Sequence, residues 1–279
     1  HLYKSAAADG QTVFFADNEQ SRQTFRYEKE VERYLNIAME QDLFQLYFQP
    51  VWSLESDRYV SLEALSRLKH PELGMIPPDI FIGIAERNGL MARISQLQLA
   101  RLCRFVKDHQ EALKGISNIK FNLSPLELAQ EGHGERLVEI IRQHNIDPGF
   151  IQFEITETAA SSSCGAMISN ISTFHDAGIR LCLDDFGSGY ANLDIILKMP
   201  FSVIKLDRSL LSGVCEDEQI ATFYKNIVGV LQNLNYLVVS EGVKNRQELE
   251  LVESWGVRLV QGFHFSPPLP SDEVLAVIQ

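Results

Sequence analysis

Six short apolar runs constrain the fold of this chain more than any other feature. They are IKFN, FIQFE, IRLCLDD, FSVIKLD, YLVVSE and VRLVQ, each four to seven residues long. Runs this short, apolar on both faces, suit strands buried between two layers. Stretches of helical periodicity flank and separate them: Asp79–Arg87, Ala92–Leu113, Arg136–His144, Cys164–Ala177, Gln219–Leu234 and Arg246–Trp255. Strands alternating with helices build a parallel sheet from βα units. Ahead of them, LFQLYFQPVWSL and RYVSLEALSRL are joined by the turn Glu55–Ser56–Asp57 and read as an antiparallel hairpin. Six runs and two hairpin strands make eight. The expected fold is therefore α/β: a modified TIM (β/α)8 barrel with an antiparallel first strand. A doubly wound open sheet is the alternative, although no G-x-G-x-x-G follows any strand.

A chain of 279 residues buries enough surface to fold without disulfides. Its 25 Lys and Arg against 37 Asp and Glu leave a formal charge of −12. That balance excludes the phosphate-neutralising surface on which duplex nucleic acid binding rests. No apolar run approaches the ~18–20 residues of a membrane span, and the polar start HLYKSAAADG is no signal peptide, so no membrane contact is expected of this segment. Cys103, Cys164, Cys182 and Cys215 show no C-x-x-C spacing, which suits reduced thiols and a cytoplasmic location, with membrane tethering of a full-length protein left open. Residues 1–22 differ in composition from the rest of the chain and read as a linker or remnant of an upstream domain. A helix over Gln23–Gln41, with Phe25, Val31, Leu35 and Ala38 on one face, then opens the barrel domain, 23–279.

Each of the six runs closes on, or next to, a polar residue that an apolar strand does not need: Asn122, Glu154, Asp184 with Asp185, Lys205 with Asp207, Glu241 and Gln261. Glu63 lies in the second hairpin strand, with Arg67 four residues on. One such residue is unremarkable, but a succession of them is not, because in a (β/α)8 barrel these strand ends converge on one face. Five carboxylates in one mouth repel one another, so some must protonate or bind a cation. Carboxylate and amide oxygens are hard ligands, which favours Mg2+ or Mn2+ over zinc. The adjacent pair Asp184–Asp185 suggests two ions with one carboxylate bridging. Taken singly, Asn122 and Gln261 read as strand caps, Lys205 as a salt-bridge lysine, Glu157 as a helix cap and Arg67 as a partner of a carboxylate or phosphate. The histidines fall outside the set.

The segments Glu63-Ala64-Leu65-Ser66-Arg67, Phe121-Asn122-Leu123-Ser124, Glu154-Ile155-Thr156-Glu157, Asp184-Asp185-Phe186-Gly187-Ser188-Gly189-Tyr190, Lys205-Leu206-Asp207, Glu241-Gly242-Val243 and Gln261-Gly262-Phe263 come one after another in the order of the EAL family. The chain resembles that family of bacterial cyclic di-GMP phosphodiesterases over about residues 44–270. The resemblance implies cleavage of cyclic di-GMP to linear pGpG and a homodimer formed through the region after Asp185. It also implies two Mg2+ or Mn2+ ions per site, with Ca2+ inhibitory. Glu63, Asn122, Glu154 and Asp184 then resemble ligands of the first metal, and Asp184 and Asp185 those of the second. Lys205 is similar to the lysine that contacts the attacking water, Glu241 to a glutamate near the metals, and Gln261 to the glutamine supporting it. By the same resemblance Glu157 anchors the loop 185–190, and Gln49, Arg67, Asp207 and Gln261 face the substrate. A dinucleotide receptor that keeps the fold but cleaves weakly or not at all is the alternative function, and a barrel used only for protein contacts is a third.

Departures from the family pattern are Leu68 where Trp is common, Phe263 where Tyr is common, and Lys244-Asn245 where Glu-Thr often stand. Lys244 replaces an acid near the metals and bears on metal affinity or rate. Leu2-Tyr3-Lys4 with Gly10 resembles the C-terminal end of a GGDEF domain, which implies an upstream regulatory domain.

Overall fold

The structure is a computed structural model that describes residues 2–6, 12–16, 19–157, 160, 165–188 and 193–279. Cys164, Gly189 and Tyr190 therefore lie outside the described residues. The chain divides into two compact units, 1–45 with 67–90, and 46–66 with 91–279.

The second unit is the barrel. Its eight strands are β1 (Phe44–Ser53), β2 (Arg58–His70), β3 (Asn118–Leu123), β4 (Ile151–Thr156), β5 (Arg180–Phe186), β6 (Phe201–Leu206), β7 (Leu237–Glu241) and β8 (Leu259–Gln261). The ends Phe44–Gln45 and Arg67–His70 of the first two belong to the other unit. From β2 to β8 each strand is parallel to the next, β1 is antiparallel to β8, and pairing of β1 with β2 closes the ring. This is the closed barrel, with a reversed first strand, expected from the sequence.

Side chains alternate across a strand, and the barrel accordingly has two apolar regions. Outward-facing residues such as Ile119, Phe121, Phe153, Ile155, Leu181 and Leu183 pack with Leu99, Leu102, Phe174 and Tyr224 of the surrounding helices. Val51, Cys182, Val203 and Val239, with Leu259 packed against them, form a separate small cluster. Each of the four stands two positions from Gln49, Asp184, Lys205 or Glu241 on the same face of its strand, and together they make an apolar floor beneath the mouth. The flanking helices run Met91–Asp108, His133–Gln143, Gly165–Asp176, Glu218–Asn233 and Arg246–Ser254, within a few residues of the ranges set by periodicity. The Tyr224 hydroxyl donates to Ser240 Oγ at 2.6 Å and ties helix Glu218–Asn233 to β7.

In the first unit, helix Glu19–Glu40 buries Val31, Tyr34, Leu35, Ala38 and Met39. Helix Pro78–Arg87 buries Phe81, Ile84 and Ala85, with Phe81 edge-on to Phe44 at 6.0 Å between ring centroids. Strand Gly74–Ile76 pairs antiparallel with Leu68–His70, so Leu68 is a buried core residue. Two short antiparallel strands, Leu2–Ala6 and Thr12–Ala16, precede them in a region where the sequence pattern suggests no element. Among the described residues no helix is long and apolar enough to cross a membrane.

Candidate active site

Asn122, Glu154, Asp184, Lys205, Glu241 and Gln261 sit at or one to two positions from the C-terminal ends of their strands, where the alternation of side chains turns them into the barrel. Gln49 of β1, Glu63, Asp184, Asp185, Lys205, Glu241 and Gln261 line one cleft of about 440 Å³, in which Asp207, Lys244 and Phe263 also take part.

Lys205 is the hub. Its Nζ lies 2.8 Å from Glu241 Oε1, 3.0 Å from Glu63 Oε2, 3.0 Å from Asp184 Oδ1 and 3.1 Å from Glu154 Oε1. A lysine 1% exposed would ordinarily lose its proton to burial, but these four carboxylates reverse that and raise it well above its usual range. Glu63 is the best satisfied of the acids. Asn122 Nδ2 donates to its Oε1 at 3.0 Å, and Gln261 Nε2 to its Oε2 at 2.6 Å. Burial pushes Glu63 up, yet Lys205 and the Gln261 amide outweigh it and hold it down to about 2.

The other acids are raised. Burial lifts Glu154 well above the ordinary range; Lys205 opposes the rise, and Glu63 and Asp184 add to it. Burial and the Asp184 charge raise Asp185 to about 6. Burial also raises Glu241, to about 8, with Lys205 opposing and Asp184 and Glu63 reinforcing. Glu154 Oε1 and Asp184 Oδ1 have the Lys205 ammonium at 3.1 and 3.0 Å as their polar neighbour, while Glu154 Oε2 is buried without a hydrogen-bond partner. Native proteins seldom leave buried acceptors so, and a cation is the partner this donor set fits.

Two groups of ligand atoms, each within 4.8 Å of one another, suit that cation: Glu63, Glu154 and Asp184, and Asp184, Asp185 and Glu241. Asp184 is common to both. The backbone that allows this differs from the simplest expectation, a strand ending at Asp184. β5 continues to Phe186, and its register against β6 slips between Leu183 and Phe186 while Asp185 takes φ 54°. A bulge with a left-handed residue redirects the Asp185 side chain, and Asp tolerates that conformation.

The other residues named from sequence have individual roles. Glu157 Oε2 accepts from the Gly187 N–H at 3.1 Å. Gly187, at φ 91°, has no room for a side chain, because a Cβ there would lie 2.4 Å from Leu210 Cδ1. Asp207 caps the turn after β6, its Oδ1 accepting from the Ser209 N–H at 2.9 Å. The Gln261 amide reaches Glu63 and, at 3.2 Å, Gln49 Oε1, so it braces Glu63. Gln49 Nε2 in turn donates to the Ser266 carbonyl at 3.1 Å. Arg67 belongs to the other unit and is not among the residues lining the cleft. Sequence reasoning missed Lys120, which is 1% exposed with its Nζ 4.0 Å from Glu154 Oε1. The signal was present: a charged residue at an inward position of IKFN, two before Asn122.

The fold and the cluster define a βα-barrel protein whose carboxylate centre is suited to divalent cations. The chain belongs to the EAL domain family, whose model matches residues 32–268. It is 29% identical to the bifunctional diguanylate cyclase/cyclic di-GMP phosphodiesterase MucR of Pseudomonas aeruginosa, over 88% of this chain and 36% of that protein. It is 30% identical to the cyclic di-GMP phosphodiesterase NbdA of the same organism, over 87% of this chain and 31% of that one. The chain thus spans about a third of the length of these relatives. Among solved structures, the PaMucR phosphodiesterase in complex with c-di-GMP matches with a TM-score of 0.81 and 28% identity, covering 88% of this chain and 99% of that one. The EAL enzyme Bd1971 in its cAMP-bound form shares the fold, with a TM-score of 0.84 at 23% identity, covering 93% and 73%.

Proposed function

We propose that this chain is a metal-dependent phosphodiesterase that hydrolyses cyclic di-GMP to linear pGpG. The observation that carries this reading is the pair of carboxylate groups sharing Asp184, with Glu154 Oε2 buried and lacking a hydrogen-bond partner. Glu63, Asn122, Glu154 and Asp184 would hold one cation, and Asp184 and Asp185, with Glu241 beside them, the other. Mg2+ or Mn2+ fits this oxygen set, whereas Ca2+, with its looser geometry, supports binding and inhibits cleavage. Held there, two cations would supply an attacking water acidified at neutral pH and would screen the charge of the phosphodiester.

The protein's own groups do the rest. Lys205, fixed by four carboxylates, orients and polarises the attacking water as a donor rather than a base. Burial raises Glu241 to about 8, so a cation held beside it would compete with its proton. Asn122 and Gln261 clamp Glu63 from both oxygens, and Glu157 fixes the segment after Asp185. Gln49 and Asp207 are assigned to the substrate. The same reading places the chain in the cytoplasm as a homodimer, with residues 1–22 as the end of an upstream GGDEF-type regulatory domain.

The test is incubation of the pure protein with cyclic di-GMP and Mg2+, with products resolved by chromatography. Linear pGpG supports the assignment. Binding without any product would make the chain a receptor instead.

A further inference from the structure

Cyclic di-GMP carries two phosphodiesters in one ring, and the carboxylate centre accounts for one of them. A substrate held there by one brings the other into the same cleft. Three cationic side chains line that cleft: Lys205, Arg208 and Lys244. Lys205 is 1% exposed and engaged with four carboxylates. Arg208 and Lys244 are exposed, and among the described residues neither side chain has a hydrogen-bond or ion-pair partner. The acids beside them in the chain face backbone donors instead. Asp207 Oδ1 accepts from the Ser209 N–H at 2.9 Å, and Glu248 Oε2 from the Lys244 N–H at 2.7 Å. Asp185 and Glu241, on the same cleft, belong to a carboxylate group gathered for a cation.

Both side chains start from closely held backbone. Gly242, at φ 71°, packs against Arg208, and a Cβ on it would lie 2.3 Å from Arg208 Cβ. The Val243 carbonyl accepts from the His264 N–H at 3.1 Å. Lys244 follows, tied through its N–H to Glu248, and Asn245 Oδ1 caps helix Arg246–Ser254 by accepting from the Glu248 N–H at 2.9 Å. Two residues from Gly242, Lys244 thus stands on the same rim as Arg208. Glu often stands at this position in the family pattern, so the second cation of the rim is a feature of this chain.

We propose that Lys244, with Arg208 beside it, holds the phosphodiester that is not being cleaved. An ammonium and a guanidinium offer an oxyanion charge-assisted hydrogen bonds. Because that phosphodiester does not react, the contact is as strong in the ground state as in the transition state, and its loss appears in KM and not in kcat. This deepens the phosphodiesterase reading and rests on it.

The test compares wild type with Lys244→Gln, Lys244→Glu and Lys244→Arg. KM and kcat for cyclic di-GMP are measured in Mg2+, its Kd by calorimetry in Ca2+ at low and high NaCl, and Mn2+ affinity on the metal-free proteins. Lys244→Gln should raise KM and Kd roughly three- to tenfold, the range for a charge-assisted contact on an open rim, with kcat and Mn2+ affinity within about twofold. Lys244→Glu should raise them further, and Lys244→Arg should stay within about twofold of wild type. Salt screens a contact between charges, so the Kd of Lys244→Gln should also rise less with NaCl than that of wild type. Unchanged KM and Kd in Lys244→Gln overturn the proposal. So does a loss accompanied by altered Mn2+ affinity, which would place Lys244 with the metals. A loss with undiminished salt dependence would place it against a base and overturns the proposal equally. All three leave the phosphodiesterase reading intact. Binding by wild type without turnover overturns that reading while the Kd values still decide the phosphate contact, and absence of binding by wild type overturns both.

Discussion

Asp184 and Asp185 are neighbours on one strand, yet both serve the same carboxylate cluster, because Asp185 adopts φ 54° inside a bulge of β5. Successive residues of a regular strand point to opposite faces. Only the irregularity lets this pair act together, with Asp184 shared between two groups and Asp185 confined to one.

That asymmetry separates the two aspartates experimentally. Asn tolerates the left-handed backbone as Asp does, so Asp185→Asn should fold normally, lose most hydrolysis and still bind cyclic di-GMP in Ca2+. Asp184→Asn should lose hydrolysis and weaken metal-dependent binding as well. Calorimetric titration in Ca2+ beside turnover in Mg2+ distinguishes them, and wild-type behaviour in both variants would remove these residues from the metal ligands.

Glu63 is held by Asn122, Gln261 and Lys205 at once. Removing even a partner that only orients a metal ligand lowers activity about 10–100-fold, so Glu63→Ala should lower kcat by more than about a hundredfold. The variant also leaves three donors without their acceptor and should melt at a lower temperature than wild type. Turnover near the wild-type rate would contradict the assignment.

The raised acids give a pH dependence of definite sign. Asp185, at about 6, and Glu241, at about 8, hold protons in the metal-free fold that the unfolded chain releases near pH 4. The folded state therefore binds more protons across that interval, and the metal-free protein loses stability as pH rises through it. Glu63, held down to about 2, acts in the opposite sense and only below its unfolded value. Because a cation must displace these protons, Mn2+ affinity should rise with pH between about 6 and 8, by up to about tenfold per unit for each proton released. Thermal melts without metal and Mn2+ titrations over this range check both trends.

Gly262 carries the position of Gln261. A Cβ at Gly262 would lie 2.2 Å from the Val243 carbonyl oxygen and 2.5 Å from the Val243 nitrogen, both of them backbone atoms with little freedom to move. Gly262→Ala should push the two loops apart, destabilise the fold by about 1–3 kcal/mol or more, and loosen the brace on Glu63. A lowered melting temperature together with a reduced kcat is the expected result; an unchanged kcat would show that Gln261 does not depend on this contact.

Much of the site was legible because strand ends converge by topology. A polar residue closing each apolar run needed only the barrel to become a cluster, and Asn122, Glu154, Asp184, Lys205, Glu241 and Gln261 could be read that way. The bulge at Asp185 was not legible, since φ depends on how β5 packs against β6 and not on the local sequence alone. The Gln261 amide was expected beside Glu241 and lies on Glu63, a choice set by the reversed β1 strand that brings Gln49 alongside. Lys120 was overlooked because one lysine in IKFN looks like a solvated position, although its spacing of two from Asn122 puts both on one face of the strand. The division into two units was hidden by β2, one continuous strand whose residues are shared between them.

The reversed first strand also has a mechanical consequence. In β1 the chain arrives at the mouth, and the turn Leu54–Asp57 lies at the opposite end, so Gln49 stands mid-strand, between them. Phe48 and Tyr47, just before it, are zipped to Leu269 and Pro270, while Gln49 itself is tied to Ser266 and Gln261. Tension on the chain ahead of Phe44 would load this ladder in shear, along the strand axis, and its first point of yield would be the rim of the cleft and not the base of the barrel.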